Sequence, residues 1–224
     1  MSSRVKSPVI LLGAGGHAKV VAEVLFIAKR EILGFLDSVV EKGEVLFGVV
    51  CLGTDKEIQN YSRDEIQLVN GVGYLPGEQS RQKLAERMRK SGYSFERVIH
   101  PTAVLAKDIE LGEGLQIMAG AIIQPGAQIG KDTIINTKAS VDHDCKIGSS
   151  CHIAPGATLS GGVHLGDNVH IGTGASIIQN IRIGDGVDVA AGAIVYQDIP
   201  ADSKVRQKCE YVMDKKIVRG GPKH

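Results

Sequence analysis

From Ile99 to Val195 an aliphatic side chain falls on every sixth residue without a slip. The run has 17 members, from Ile99, Leu105 and Leu111 through Ile135, Val141 and Ile147 to Ile183, Val189 and Val195. A helix repeats its apolar face every 3.6 residues and a simple strand every second residue, so neither accounts for this period. Two residues before each anchor the side chain is nearly always small or β-branched, as at Ala121, Ala127, Thr133, Ala139, Cys145, Cys151 and Ala157, with Leu115 the large unbranched exception. Three residues after the anchors stand eight glycines, four aspartates and two asparagines, types that tolerate left-handed backbone. Each hexad reads as a short strand plus a corner. Three hexads, or 18 residues, close one triangular coil of a hexapeptide β-solenoid. Strands spaced about 4.8 Å apart make this a prism on the order of 27 Å tall, of between five and six coils. The unbroken phase predicts no loop extruded from any corner.

Ahead of the prism the period changes. Pro8-Val-Ile-Leu-Leu12 reads as a buried strand that runs into Gly13-Ala-Gly-Gly-His17-Ala18 and then a helix to about Arg30. A second strand, Ile32 to Leu36, ends at Asp37, and a third, Ile66 to Val69, ends in Asn70-Gly-Val-Gly73. Ser80 to Lys90 is a charged amphipathic helix. Strand, glycine turn, helix, strand is the opening of a Rossmann-like βαβ unit with a parallel sheet. The predicted organisation is an α/β domain over residues 1–94, a parallel β-helix over 95–200 and a C-terminal tail over 201–224.

Composition narrows the class. Aromatic residues make up 4% of the chain and Trp is absent, as a stack of Ile, Val, Ala and Gly would produce. A formal net charge of +1 argues against a nucleic-acid surface. No run of 18 apolar residues and no signal-like segment is present, so no membrane insertion and a cytoplasmic location are expected. Cys51, Cys145, Cys151 and Cys209 lack CxxC spacing, and two of them fill the small inward slot, which reads as packed, reduced thiols.

Ligands on parallel sheets sit at the carboxyl ends of the strands, where Gly13 to His17, Asp37 and Gly71 to Gly73 all fall. The glycine turn matches a dinucleotide fingerprint, with Asp37 about 20 residues on. The domain, however, has room for one mononucleotide half only. The turn therefore reads as a cradle for phosphate or a nucleotide-linked group, with Asp37 hydrogen-bonding a base or sugar. The competing reading is a tight strand-to-helix turn and nothing more.

In the prism, the chemistry concentrates at His143-Asp144. Asp144 holds a corner position, where aspartate is ordinary turn chemistry, but a histidine just before it has no such explanation. The positions one coil below and above His143 are Pro125 and Gly161, which leave an imidazole uncrowded. A carboxylate beside the ring raises its basicity, as an acyl-transfer base requires. His152 and His170 stand one coil apart on one face and His164 on the next. These allow either a zinc site shared between subunits or a hydrogen bond from His152 to an acyl thioester.

The Gly-Ala-Gly-Gly-His-Ala-Lys turn, Val98-Ile-His-Pro-Thr-Ala103, Ile134-Ile-Asn-Thr137 and Val141-Asp-His-Asp-Cys145, together with the hexads, resemble the bacterial nucleotide-sugar N-acetyltransferases that make N-acetylperosamine or diacetylbacillosamine. The sialic-acid O-acetyltransferases are similar. The resemblance implies a left-handed β-helix, a homotrimer with active sites between subunits, acetyl-CoA as donor, no metal, and a nucleotide-linked 4-amino sugar as acceptor. It implies His143 as general base with Asp144 raising its basicity. Gly15, Gly16, His17, Asp37, Ser38 and Gly73 would line the nucleotide-sugar pocket, with Asn136 beside the catalytic histidine. His152 would approach the thioester, while the coils around Thr173 and Ala191 would hold the pantetheine. The chain departs from the family at Ser38, where a second acidic residue is common. It departs again after Pro200, where Val205-Arg-Gln-Lys-Cys-Glu-Tyr211 replaces a Val-Gly-x-Pro-Ala-Lys ending.

On these roles the neutral sugar amine attacks the thioester carbonyl as His143 takes its proton, and corner N–H groups or a nearby donor stabilise the oxyanion. No covalent enzyme intermediate is needed. Three alternatives stay open from the sequence: O-acetylation of a sialic-type sugar, a zinc-dependent hydratase on the same prism, and a non-catalytic nucleotide-sugar-binding protein.

Overall fold

Val9 to Leu12 has no polar side chain on either face, and in the computed structural model, which describes residues 7–206, it is the buried strand β1 (Val9–Leu12). Its alternation serves two layers. Val9 and Leu11 pack under helix α1 (Gly16–Ile27), and Ile10 and Leu12 pack on the opposite face with Ala85 and Met88 of helix α2 (Ser80–Lys90). Strands β2 (Ile32–Leu36), β3 (Val45–Leu46), β4 (Val49–Gly53) and β5 (Gln67–Asn70) complete a sheet of order β3-β4-β2-β1-β5, parallel except for the β3–β4 hairpin. Sequence reasoning missed that hairpin, although Val49-Val-Cys-Leu52 is an unbroken apolar run, and the 3-10 turn at Asp55–Asn60.

The hexads form two-residue strands from β6 (Val98–Ile99) to β23 (Lys204–Val205), stacked in three parallel sheets of six, five and seven strands. Each anchor pairs with the anchor 18 residues on, as in Ile123 with Val141, Ile129 with Ile147 and Ile135 with Ile153. The anchors and the small residues two places before them make one continuous core. Burial of that stripe of Ile, Val, Leu and Ala is the main stabilising term of the prism. The stacking continues past residue 200, because the last coil is two residues shorter: Val189 pairs with Val205 and Ile183 bridges to Ile199. This shortening is why a step of six loses the pattern after Val195.

The corners are left-handed where the sequence predicts, at all eight glycines and at Asp132, Asp144, Asn168 and Asn180, and also at Lys138 and Ser150. Asp108 and Asp198 are not among the left-handed corners, and Asp202 (φ 56°) turns the shortened coil.

The three outward faces differ. One, carrying Gln116, Ile134, His152, His170 and Asp188 in register, is where the α/β domain docks. Val98 and Met118 share the α1 core, and Arg89 of α2 grips corner residue Asp132 through both carboxylate oxygens, at 2.5 and 2.8 Å. The second face presents Val104, Ile122, Ser140, Thr158, Ser176 and Ile194, with no charge. The third presents Glu110, Gln128, Lys146, His164 and Arg182. No helix among the described residues is long and apolar enough to cross a membrane. Residues 207–224, with Cys209 and most of the atypical ending, lie outside the described residues.

Candidate active site

His143 stands at the edge between the uncharged and charged faces, just after the strand Ser140–Val141. Asp144 turns the corner with φ 58°. Its Oδ2 lies 2.8 Å from His143 Nδ1, and Asp142 Oδ1 accepts the backbone N–H of His143 at 2.7 Å. The hydrogen bond to Asp144 raises the His143 pKa, burial opposes it weakly, and the nearby Asp142 and Asp144 charges add to the rise. With Nδ1–H pointing to the carboxylate, Nε2 is the nitrogen free to act as a base. The ring lies over Gly161, where a β-carbon would overlap Nε2 and stand 2.6 Å from Cε1. Asp144 Oδ1 likewise lies over Gly126, 2.5 Å from where a β-carbon would be. Both side chains are exposed, so the pair is a surface feature of the single chain.

The glycine turn has a different setting. Gly13 (φ 97°) donates to Leu36 O at 2.7 Å, and Gly15 and Gly16 open α1 with no side-chain cap and empty space where a β-carbon would be. The start of the helix is therefore uncapped and open to approach, as an anion cradle requires. Asp37 is already occupied: Oδ2 accepts the Ala14 N–H at 2.9 Å and Oδ1 accepts those of Val39 and Val40 at 2.8 and 3.3 Å. It staples the glycine turn to the loop after β2, a positioning task that sequence reasoning did not assign to it. Ser38 beside it is exposed. Gly73 closes over His17, its β-carbon position 3.4 Å from His17 Cβ. Burial, with a smaller contribution from Arg81, pushes the His17 pKa down to about 4 against the raising effect of its bond to Gln116.

On the docked face, Asn136, His152 and His170 form a directed chain. The Thr137 backbone N–H can only donate, so Asn136 Oδ1 accepts it at 2.7 Å and Asn136 Nδ2 must face His152 Nε2, 3.1 Å away. Nε2 is then an acceptor, and His152 Nδ1–H donates to His170 Nδ1 at 3.2 Å. Tyr74, from the loop after β5, stacks on His170 and tilts over His152, ring centroids 5.2 Å from each. Burial, with the neighbouring His170, His17 and Arg81, lowers the His152 pKa to about 3. Both ring nitrogens of His152 are engaged within the chain, so it has no free N–H in this arrangement.

Thr173 and Ala191 are exposed at the edge between the docked and uncharged faces, on successive coils joined by Gly192 N–H to Thr173 O at 2.8 Å. Gly156, Gly174 and Gly192 stack along the same edge, with nothing within 4 Å of any β-carbon position. Asn136 lies on this edge and His143 on the next, and the hydrogen bonds of Asn136 go to His152 and Thr137. Within one chain, then, His17, Gly73 and His152 come together at the docked face, Asn136, Thr173 and Ala191 line one edge, and His143-Asp144 stands apart on another. Tyr74 and Gln116 are the side chains that sequence reasoning missed. Neither belongs to a motif, and a polar residue at an outward hexad position is ordinary. Cys145 and Cys151 are buried inward, with their thiol pKa values raised by burial, that of Cys151 to about 12. That placement removes them as nucleophiles.

A βαβ domain docked on a hexapeptide prism, with a histidine–carboxylate pair on a prism edge, defines the hexapeptide-repeat acyltransferase class. The comparisons with known proteins agree. Residues 8–88 match the family model of the PglD N-terminal domain, and residues 126–161 and 162–197 match that of the bacterial transferase hexapeptide (six repeats). Among solved structures, the acetyltransferase domain of PglB from Neisseria gonorrhoeae FA1090, in complex with acetyl coenzyme A, is 34% identical over 89% of this chain and 96% of that one, with a TM-score of 0.82. PerB from Caulobacter crescentus, in complex with CoA and GDP-perosamine, is 36% identical over 91% of this chain and 95% of its own, with a TM-score of 0.81. A form of perosamine N-acetyltransferase from the same organism in which a histidine is replaced by asparagine, also with CoA and GDP-perosamine, is 34% identical over the same shares, with a TM-score of 0.82. A comparison with curated proteins finds no match. The chain belongs to the hexapeptide-repeat acetyltransferases that carry a PglD-type N-terminal domain, and it is an acetyltransferase.

Proposed function

We propose that this protein transfers the acetyl group of acetyl-CoA to the amine of a nucleotide-linked 4-amino-4,6-dideoxy sugar, with His143 as general base. The observation that carries this reading is the His143–Asp144 pair. Its 2.8 Å bond commits Nδ1 to the carboxylate and leaves Nε2 as the base at an exposed edge. The nucleotide-linked acceptor is supported by the uncapped glycine opening of α1. The similar Caulobacter crescentus structures in complex with CoA and GDP-perosamine support the two substrates.

The three faces support a homotrimer. One face is covered by the α/β domain and one is charged, which leaves the uncharged Val-Ile-Ser-Thr-Ser-Ile face as the one suited to burial between copies. Three such faces turned to a three-fold axis bring the His143 edge of one copy against the Asn136–Thr173–Ala191 edge of the next. The bare glycine corners at 156, 174 and 192 then leave room for a pantetheine arm, and Asn136 comes beside a histidine that its own chain holds on another edge.

In the reaction, Nε2 of His143 takes the proton of the sugar amine as nitrogen adds to the thioester carbonyl, and Asp144 stabilises the imidazolium through Nδ1–H. Collapse of the tetrahedral adduct breaks the C–S bond, and the proton held by His143 goes to the leaving thiolate. The test is release of free thiol from acetyl-CoA against a panel of UDP-, GDP- and dTDP-linked amino sugars and free sialic acid, with products identified by mass. An N-acetylated nucleotide sugar is expected. Release with sialic acid alone would assign O-acetylation instead, and no release with any acceptor would refute the reading.

A further inference from the structure

Gln116 is a polar side chain 1% exposed at the junction of the two parts of the molecule, contributed by the solenoid and reaching into the α/β domain. A buried amide is tolerated only where both its ends are satisfied, and here they are. Its Nε2 lies 2.7 Å from the carbonyl of Asn70, at the end of β5, and its Oε1 lies 2.6 Å from His17 Nε2. The Asn70 carbonyl can only accept, so the amide nitrogen must face it. The amide oxygen therefore faces His17, and because that oxygen too can only accept, His17 Nε2 must carry the hydrogen. The second imidazole nitrogen, Nδ1, is left with a bare lone pair, on a ring set between the glycine turn and Gly73.

We propose that Gln116 is a positioning residue for the acceptor substrate: it locks His17 in the Nε2–H tautomer, so that Nδ1 accepts a hydrogen bond from an N–H or O–H of the bound nucleotide sugar. An amine that donates in this way keeps its own lone pair turned away from His17. The proposal rests on the reading that His17 lines the nucleotide-sugar pocket. The same Gln116 also ties the glycine loop after β5 to the prism, so tautomer and loop position are set by one side chain.

The tautomer is read by long-range ¹H–¹⁵N spectra of the full-length protein labelled in histidine, in which His17 is assigned from a His17→Gln variant. For the wild type, a neutral Nε2–H ring is expected down to about pH 5, with Nδ1 shifting on addition of the nucleotide sugar. Gln116→Leu removes the acceptor and is expected to mix the tautomers and raise acceptor KM about tenfold, with acetyl-CoA KM unchanged, as for loss of one buried hydrogen-bonded pair. Gln116→Glu keeps an oxygen toward His17 and is expected to retain the Nε2–H form while moving its protonation to higher pH. An Nδ1–H ring in the wild type, or an Nδ1 signal unmoved by a nucleotide sugar that binds, would overturn the proposal. Failure of every nucleotide sugar to bind would instead refute the functional reading, while the tautomer of the free protein still decides the role of Gln116.

Discussion

The imidazole of His143 lies across Gly161, the residue one coil above it, at the position where a β-carbon would stand 2.6 Å from Cε1. The backbone of Gly161 is not in the left-handed region, so the absence of a side chain there serves the ring rather than the turn. Gly161→Ala should fold normally yet push the imidazole proposed as the base off its line. A misplacement near 1 Å costs about 10²-fold in turnover. Steady-state kinetics of this variant should show kcat down by about that factor with KM for acetyl-CoA little changed.

If His143 is the base, as proposed, Asp144 sets the pH at which it works. The His143 pKa is raised by Asp144, so the ring is protonated, and idle as a base, up to a higher pH than a free histidine would be. Turnover should fall as pH drops through that raised value. Asp144→Asn removes the charge, and the acid limb should move to lower pH while the maximal rate declines. A pH–rate profile of kcat over pH 5 to about 9 checks both. Because both side chains are exposed, little change in folding stability is expected from this substitution.

The proposed edge-to-edge assembly can be tested by complementation. His143→Ala disables one edge and Ala191→Trp fills the other, so each protein alone should be inactive. Refolded together, a mixed assembly contains a contact in which the unaltered His143 edge meets an unaltered Ala191 edge, and partial activity should return. Ile122→Arg on the uncharged face should give monomers by sedimentation, with circular dichroism unchanged and activity lost.

Acid stability follows from two neutral histidines, the buried His152 and the half-buried His17. His17 and His152 have folded pKa values of about 4 and about 3, both below the ordinary value of 6.5. The unfolded chain therefore binds more protons between pH 6.5 and those values. Their contribution to stability is full above about pH 6.5 and is lost as pH falls toward 4 and then 3, on the order of a few kcal/mol in all. The midpoint of thermal unfolding should drop over that range, and His152→Gln should flatten the drop.

The prism was legible because its rule is local and strict: one aliphatic anchor and one small inward residue in every six, with left-handed corners between them. The same regularity hid its end, since the two-residue shortening that pairs Val189 with Val205 breaks the step without ending the stack. The β1–α1 turn was equally plain, whereas β4 was overlooked although Val49 to Leu52 is an unbroken apolar run, and only the two-residue, partly exposed β3 left no signal. His143 was visible as a residue with no corner excuse. The engagement of Asp37 with three backbone N–H groups, the chain through Asn136 and His152, and the reach of Gln116 to His17 depend on contacts between segments distant in sequence.

Ser150 and Lys138 hold left-handed corners, at φ 56° and 57°, that other coils assign to Gly, Asp or Asn. A left-handed non-glycine residue costs about 1–2 kcal/mol, partly offset by the greater unfolded-state freedom of glycine. Ser150→Gly is therefore expected to stabilise the protein by up to about 1 kcal/mol in chemical denaturation, without effect on turnover.

The most direct measurement is turnover of His143→Ala with both substrates saturating, in a preparation whose assembly and CoA affinity match those of the unaltered protein. Loss of the base should lower kcat by about 10²- to 10⁴-fold. A rate within about threefold of the unaltered protein would place the proton transfer on another group and remove His143 from the chemistry.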